Sequence, residues 1–115
     1  MKLTLHDLLQ PLTELSHELN EIYGSTLDII ILYGSFIRGE QTNESDINIA
    51  ILLNKAETNE EKLKRTDLVV DYELMLDKVL SIIVLNTDHY KAWLDVIPLY
   101  RNIEKEGIIL LDNNC

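Results

Sequence analysis

The sequence predicts an α/β (α+β) protein in which a small mixed β-sheet carries helices packed on it. The chain has 115 residues, the size of one ordinary domain, so we expect residues 1–115 to form a single domain. Amphipathic stretches with helical spacing alternate with short, unbroken apolar runs. This alternation is typical of helices that cover a buried sheet. No repeat or low-complexity stretch interrupts it.

The N-terminal segment is predicted to be an amphipathic helix. Its apolar residues recur at steps of three or four and form one stripe: Leu5, Leu8, Leu12, Leu15, Leu19 and Ile22. Pro11 lies inside this stripe and has no N–H to donate, so it should kink the helix or move its start to near Gln10. Gly24 supplies a stop signal.

Two strands are predicted next. Leu27–Tyr33 is a short, Ile-rich apolar run without alternation, which indicates a strand buried on both faces. Asp46–Leu53 is the second predicted strand. The polar stretch Asn54–Glu61, rich in Asn and Glu, is predicted to be a surface loop.

A second long helix is predicted over Glu60–Leu76, with Asn59 as its cap. The residues expected to face inward are Leu63, Val69, Val70 and Leu76. A third strand, Val79–Leu85, follows and is apolar on both faces except for Ser81.

The remaining segment predicts two short helices and a short final strand. One helix runs through Trp93 and is capped by Thr87 or Asp88. Pro98 opens the other helix and Gly107 ends it.

The final strand is predicted at Ile108–Leu111, which gives the order α-β-α-β-α-β-α-α-β. Tyr90, Trp93 and Tyr100 are predicted to pack in the core or to form a partner surface rather than to stack on a nucleotide. The same apolar section is a candidate interface for a homo-oligomer.

The charge of the chain limits its partners. Ten Lys plus Arg stand against twenty Asp plus Glu, a net charge of −10. A surface this acidic repels phosphate backbones, so we expect no direct binding of nucleic acid. An anionic ligand would need a local device: a metal ion, a helix N-terminus or a placed arginine.

Cysteine content and hydropathy favour a cytoplasmic protein with no membrane association. The single cysteine, Cys115, can form neither an internal disulfide nor a metal cluster, which suits a reducing compartment. No apolar run reaches the roughly 18 residues of a membrane span. The N-terminus lacks the uninterrupted apolar core of a signal peptide.

The segment with the clearest chemical signal is residues 33–53, YGSFIRGEQTNESDINIAILL. Gly34 and Ser35 follow a buried strand and open a short turn that could start a helix. The N–H groups of such a turn lack intrahelical partners and commonly bind phosphate. Glycine allows close backbone approach, and the Ser35 hydroxyl adds a donor.

Asp46 and Asn48 occupy alternate positions of the next strand, so both side chains point toward one face. If that face meets the Gly34–Ser35 turn, oxygen ligands for a hard cation stand opposite a phosphate cradle. This combination is what metal-assisted phosphoryl or nucleotidyl transfer needs.

Gly34-Ser35, ten residues, then Asp46-Ile47-Asn48 resembles the G-S-x10-D-x-D signature of the DNA polymerase beta-like nucleotidyltransferase superfamily. The fuller string, with Arg38-Gly39-Glu40 inside it and Ser45 before the aspartate, is similar to the minimal nucleotidyltransferases, the MNT family. The order of elements is similar across almost the whole chain. The resemblance implies the nucleotidyltransferase (polymerase beta-like) fold.

The resemblance also implies roles for individual residues. Gly34 and Ser35 match the turn that holds a nucleoside triphosphate. Arg38 is not assigned by the resemblance: a cation beside the turn of so acidic a protein favours a phosphate contact, and a solvated surface charge is the alternative. Asp46 matches the first carboxylate of a site for two divalent metals, usually Mg²⁺. Asn48 stands where the second carboxylate is expected, and both residues are the candidate catalytic and metal-binding positions.

The third carboxylate usually comes from the neighbouring strand, where Ser81 is the nearest candidate. Asp71 and Asp77 are alternative sources of a carboxylate. With Asn48 and Ser81 both neutral, three expected negative charges fall to one. Losing a metal carboxylate can slow such a reaction by about a thousandfold.

In the MNT family, small members are commonly paired with a HEPN-type toxin, and some transfer AMP from ATP to a tyrosine of that toxin. The resemblance therefore implies an antitoxin-like nucleotidyltransferase that uses Mg²⁺ and ATP to modify a partner protein. The alternative is a catalytically weak or inactive module that neutralises its partner by contact. A third reading, an antibiotic nucleotidyltransferase, requires an added substrate domain for which the chain has no room.

Overall fold

The computed structural model describes residues 3–114, so Cys115 lies outside the described residues. Four strands form one sheet in the order β3-β2-β1-β4. The strands are β1 (Leu27–Tyr33), β2 (Ile47–Leu53), β3 (Leu80–Asn86) and β4 (Ile108–Asp112). The helices are α1 (Leu5–Tyr23), α2 (Ser35–Arg38), α3 (Asn59–Leu76), α4 (Thr87–Ala92) and α5 (Pro98–Glu106). The predicted order of elements is confirmed, with one added 3₁₀ turn at Gly24–Thr26.

The sheet is mixed, as predicted. Strand β1 is antiparallel to both β2 and β4, whereas β2 is parallel to β3. Tyr33 lies opposite Asn48, and Asn48 lies opposite Ser81. The end of β1 and the beginnings of β2 and β3 therefore meet at one edge of the sheet. A bulge between Leu27 and Ile29 interrupts the β1–β2 pairing at the opposite end.

Both faces of the sheet are covered by helices. Helices α1 and α3 cover one face, where the buried leucines of α1 pack against Ile30, Leu32, Ile49 and Ile51. Tyr90, Tyr100 and Ile103 of α4 and α5 cover the other face, against Ile31, Ala50 and Leu52. The prediction that β1 is buried on both faces is confirmed, and β2 is buried in the same way. No helix within residues 3–114 has the length and hydropathy to span a bilayer.

Helix α1 begins at Leu5, so the prediction of a start near Gln10 is wrong. Thr4 forms a capping box with Asp7: the Asp7 N–H donates to Thr4 Oγ1 at 3.3 Å, and the Thr4 N–H donates to Asp7 Oδ2 at 2.9 Å. The helix continues through Pro11, because burial of the surrounding leucines offsets the one lost hydrogen bond. It ends at Tyr23, with Gly24 as the predicted stop.

Helix α3 begins at Asn59, and its cap is Thr58 rather than the predicted Asn59. Thr58 and Glu61 form a second capping box. The predicted loop therefore ends at Thr58. Val69 is buried, as predicted, and Leu76 packs on the core.

Leu63 and Val70 of α3 face outward, so the prediction that they face inward is wrong. Apolar residues occur on both sides of α3, and their spacing alone did not identify the inner side. The side that faces the core is set by the α1–sheet layer on which α3 packs.

The C-terminal elements differ from prediction by one residue at several ends. Strand β3 is shifted one residue later than predicted, and α4 ends at Ala92 rather than Trp93. The cap of α4 is Asn86, whose side chain accepts from the His89 N–H at 2.9 Å, and not Thr87 or Asp88. Thr87 is instead buried and donates its hydroxyl to Asp28.

Two predictions for α5 are confirmed: Pro98 opens the helix and Gly107 follows its last residue. Tyr90 and Tyr100 pack in the core, as predicted. The prediction that Trp93 packs there is wrong, because its side chain is 47% exposed.

The two capping residues considered for α3 can be separated by stability measurements. Thr58→Ala removes the side chain that accepts the Glu61 N–H, so it should lower the free energy of unfolding by about 1 kcal/mol. Asn59→Ala is the matched control and should change it by no more than about 0.5 kcal/mol, because Asn59 is already inside the helix. Urea denaturation at pH 7 measures both. Equal losses would contradict the assignment of Thr58 as the cap.

Candidate active site

The residues singled out in the sequence come together at the edge of the sheet where β1 ends and β2 and β3 begin. Gly34 and Ser35 follow β1. Asp46 lies directly before β2, which begins at Ile47, so the predicted strand start at Asp46 is one residue too early. Asn48 is paired with Tyr33 on one side and with Ser81 on the other. The antiparallel reversal between β1 and β2 therefore places the turn beside the polar residues.

Gly34 adopts a backbone conformation that is essentially restricted to glycine, with φ 98° and ψ −155°. A Cβ atom at this position would lie 2.5 Å from Asn48 Nδ2. The bare backbone of Gly34 thus lies directly against the Asn48 side chain. The two predicted halves of the site are in contact through this pair.

Ser35 opens the four-residue helix α2. The N–H groups of Ile37 and Arg38 both donate to the Gly34 carbonyl, at 3.1 and 3.4 Å. The N–H groups of Ser35 and Phe36 come before the first residue of α2 that can find an acceptor within the turn. These two backbone donors of the turn are therefore left for an outside acceptor.

Asp46 is exposed and accepts a hydrogen bond from the Ser81 hydroxyl at 3.2 Å between Ser81 Oγ and Asp46 Oδ2. Ser81 thus occupies the neighbouring-strand position that was predicted for it. It is a neutral donor to the carboxylate and not a second carboxylate.

Asp46 is not part of a set of three carboxylates, because residues 3–114 contain no cluster of three His, Cys, Asp or Glu side chains able to hold a metal ion. Asp71 lies on the exposed side of α3, and Asp77 is the left-handed cap that follows that helix. The oxygen donors at this edge are one carboxylate, one amide and one hydroxyl. Such a set fits an Mg²⁺ ion that is held largely by substrate phosphates, but not a two-ion site made of carboxylates.

Arg38 is engaged with two carboxylates. Its Nε donates to Glu40 Oε1 and its Nη1 donates to Glu106 Oε2, each at 3.0 Å. The hydrogen bond to Glu40, followed by that to Glu106, raises the pKa of Arg38 above its usual value. The predicted phosphate contact would have to compete with these two acceptors. Glu106 was missed by sequence reasoning, because only the β1–β4 pairing brings the end of α5 next to the turn.

Tyr33, the last residue of β1, borders the turn. Burial raises the pKa of its phenol, so the hydroxyl stays neutral at physiological pH. Tyr33 thus adds no charge beside Asp46, Asn48 and Ser81, and of these three residues only Asp46 is acidic.

This arrangement can bind a polyphosphate chain and polarise it. Outward N–H groups stabilise phosphate oxygens, and an oxygen ligand opposite them can hold a phosphate-bound cation. Both features act on charge that develops at phosphorus, which is the main requirement of phosphoryl and nucleotidyl transfer.

Comparison with known families gives the same class of protein. Residues 17–115 match the family model "Polymerase beta, Nucleotidyltransferase". The chain therefore belongs to the polymerase beta nucleotidyltransferase family, and the predicted fold and family are confirmed.

One relative is a Methanocaldococcus jannaschii protein named "putative protein adenylyltransferase". It is 28% identical over 94 residues, which cover 82% of this chain and 95% of the relative.

Two solved structures share the fold. One is described as a toxin-antitoxin with AMP-PNP: it matches with a TM-score of 0.58 and 22% identity, over 89% of this chain and 74% of that chain. The other is of the tri-AMPylated HEPN toxin of Shewanella oneidensis in complex with MNT antitoxin. Its TM-score is 0.54 at 19% identity, over 91% of this chain and 73% of that chain.

The contact between Gly34 and Asn48 can be measured by a double-mutant cycle. Gly34→Ala forces a Cβ against Asn48 and a side chain into a glycine-only conformation, which should cost about 1–3 kcal/mol of unfolding free energy. In an Asn48→Ala background the same change should cost less, because the clash is gone while the backbone strain stays.

Gly39→Ala is the matched control, since Gly39 also has positive φ (71°) but no atom within 4 Å of its added Cβ. Its cost should be the same in both backgrounds. Denaturant unfolding of the six proteins gives the coupling. An unchanged cost of Gly34→Ala in the Asn48→Ala protein would mean that the two residues are not coupled.

Proposed function

We propose that this protein is a minimal nucleotidyltransferase that binds Mg-ATP at the Gly34–Ser35 turn and transfers AMP to a hydroxyl of a partner protein. The partner class proposed is a HEPN-type toxin, which would make the chain antitoxin-like. The observation that carries the proposal is the contact of the Gly34 turn with Asn48, beside Asp46, at one edge of the sheet.

In this proposal the turn holds the triphosphate. The N–H groups around Ser35 would face the oxygens of the triphosphate. The Asp46 carboxylate and the side-chain amide oxygen of Asn48 would hold the Mg²⁺ that arrives with ATP. Transfer forms a bond between the acceptor oxygen and the α-phosphorus and breaks the α–β bridging P–O bond. The acceptor proton is lost to solvent and pyrophosphate leaves. Arg38 is a phosphate contact only when its guanidinium turns from Glu106.

The proposal has support from relatives. The M. jannaschii relative is named for protein adenylylation, and a toxin-antitoxin structure with AMP-PNP has the same fold.

The alternative function is a binding module that neutralises its partner by contact, with little or no transfer. The observation that favours it is that Asn48 and Ser81, the two residues paired next to Asp46, are neutral, so Asp46 supplies the one carboxylate of these three. A neutral ligand holds Mg²⁺ much less tightly than a carboxylate. The two functions predict different responses to the same substitutions.

Titration calorimetry with ATP, with and without Mg²⁺, tests the nucleotide site. The first function predicts binding that strengthens at least about tenfold with Mg²⁺ and is lost in Asp46→Ala. Asp95→Ala is the matched control, because Asp95 is an exposed aspartate outside the site. Absence of ATP binding under both conditions would refute the first function and leave the contact module.

Restoring the missing acid tests the role of Asn48. Asn48→Asp should raise the rate of AMP transfer by about a hundredfold to a thousandfold, because a second carboxylate supplies ligand charge at the metal. The assay follows label from α-³²P-ATP into a HEPN-domain protein of the source organism. Asn102→Asp adds the same charge to an exposed position of α5 and should leave the rate unchanged. Equal rates for Asn48→Asp and the parent chain would mean that position 48 is not a metal ligand.

A further inference from the structure

Helix α3 carries an apolar stripe on the side that faces away from the core. Leu63, Val70 and Leu74 are 69%, 45% and 78% exposed, and their spacing of seven and four residues places them in one row. The fold uses the opposite side of α3, whose inward residues are Leu68, Val69, Tyr72 and Leu76. The exposed row, called here the α3 stripe, has no role in holding the core together.

The α3 stripe is bordered by acidic residues. Glu60, Asp67 and Asp71 are exposed and lie along one side of it by helical spacing. Within residues 3–114, Asp67 and Asp71 join no ion pair, whereas Glu60 pairs with Lys64 at 3.1 Å. An apolar row with an unpaired acidic border is complementary to an apolar row with a basic border.

The stripe also leads to the candidate active site. At its C-terminal end, Lys78 Nζ donates to the Asn43 carbonyl in the connection that precedes Asp46. Val79, which is exposed, accepts the Ile47 N–H through its carbonyl at 2.9 Å. A partner that lies along α3 therefore reaches the edge of the sheet that carries Asp46.

From these features we propose that the α3 stripe is the docking surface for the acceptor protein, which presents an amphipathic helix whose apolar row is flanked by Lys or Arg. The acceptor part of this statement rests on the proposed function, whereas the docking part does not. Helix packing buries the stripe, and the basic flank pairs with Asp67 and Asp71.

Charge argues against a second copy of this chain as the occupant. An antiparallel two-fold pairing of α3 with itself would place the acidic borders of the two copies, with Asp67 and Asp71, on the same side of the interface. The two chains would each bring a net charge of −10. Like charges brought together across an interface cost binding free energy, so the surface selects a basic partner.

Two designed helical peptides serve as probes, and the full chain is used without ATP. Both peptides carry the same leucine row; one is flanked by Lys and the other by Glu. Fluorescence anisotropy at moderate salt should show the basic peptide binding at least about tenfold more tightly than the acidic one. The affinity for the basic peptide should fall as salt rises.

Substitutions locate the binding surface. Leu63→Gln with Leu74→Gln should weaken the basic peptide by at least about tenfold, because both residues lose apolar contact. Asp67→Asn with Asp71→Asn should weaken it about threefold to tenfold and reduce the salt dependence. The matched controls are Ile109→Gln, which is 55% exposed on β4, and Asp88→Asn with Asp95→Asn, two exposed aspartates of which one lies on α4 and the other in the turn that follows it. Neither control should change the affinity.

Three outcomes would overturn the proposal. The first is equal binding of the two peptides. The second is a loss of affinity for the basic peptide in the control variants as large as in the stripe variants. The third is sedimentation of the parent chain as a dimer that Leu63→Gln with Leu74→Gln dissociates, which would make a second copy the occupant. ATP titration of the stripe variant should match the parent. If neither the parent chain nor the stripe variant binds ATP, the proposed function is refuted. The peptide measurements still decide whether the α3 stripe is a docking surface.

Discussion

The antiparallel pairing of β1 with β2 is the constraint on which the rest of this molecule depends. Because the two strands run in opposite directions, the chain that leaves β1 at Tyr33 must return to the same edge to begin β2. The turn at Gly34 and the carboxylate of Asp46 become neighbours for this reason. The parallel strand β3 needs a crossover, which α3 supplies, and it delivers Ser81 to the same edge.

That geometry is kept although most of the expected charge is missing. Carboxylates gathered at one place repel each other and weaken the fold when no cation lies between them. Here Ser81 donates to Asp46, and Asn48 rests against Gly34 without adding a charge. The arrangement is therefore compatible with a stable fold in the absence of metal. Because the site has fewer negative charges, its electrostatic attraction for a second cation is weaker.

Several features that depend on local sequence were predicted correctly, whereas several that depend on tertiary packing were not. The Ile-rich runs of β1 and β2, the stop at Gly24 and the Pro98–Gly107 bounds of α5 follow from local physics, and the structure has them. The start of α1 did not follow, because burial of its leucines outweighs the local effect of Pro11. The inner side of α3 depends on what packs against it. The fold of the site was predictable from its motif, whereas the pairing of Arg38 with Glu106 required the position of β4.

The bulge in β1 gives the sheet two ends of different character. From Ile29 to Tyr33, β1 pairs with β2 in continuous register up to the candidate site, and the irregularity lies at the far end, beside Leu27. A bulge can take up an extra residue by local bending, whereas a register slip within the continuous part would turn every side chain over. The residue that the bulge adds is Asp28, whose buried side chain accepts hydrogen bonds from Asn54 and Thr87. The two ends of the β1–β2 ladder are therefore fixed by different means, a hydrogen-bonded network around a buried acid at one end and close packing of glycine backbone on an amide at the other.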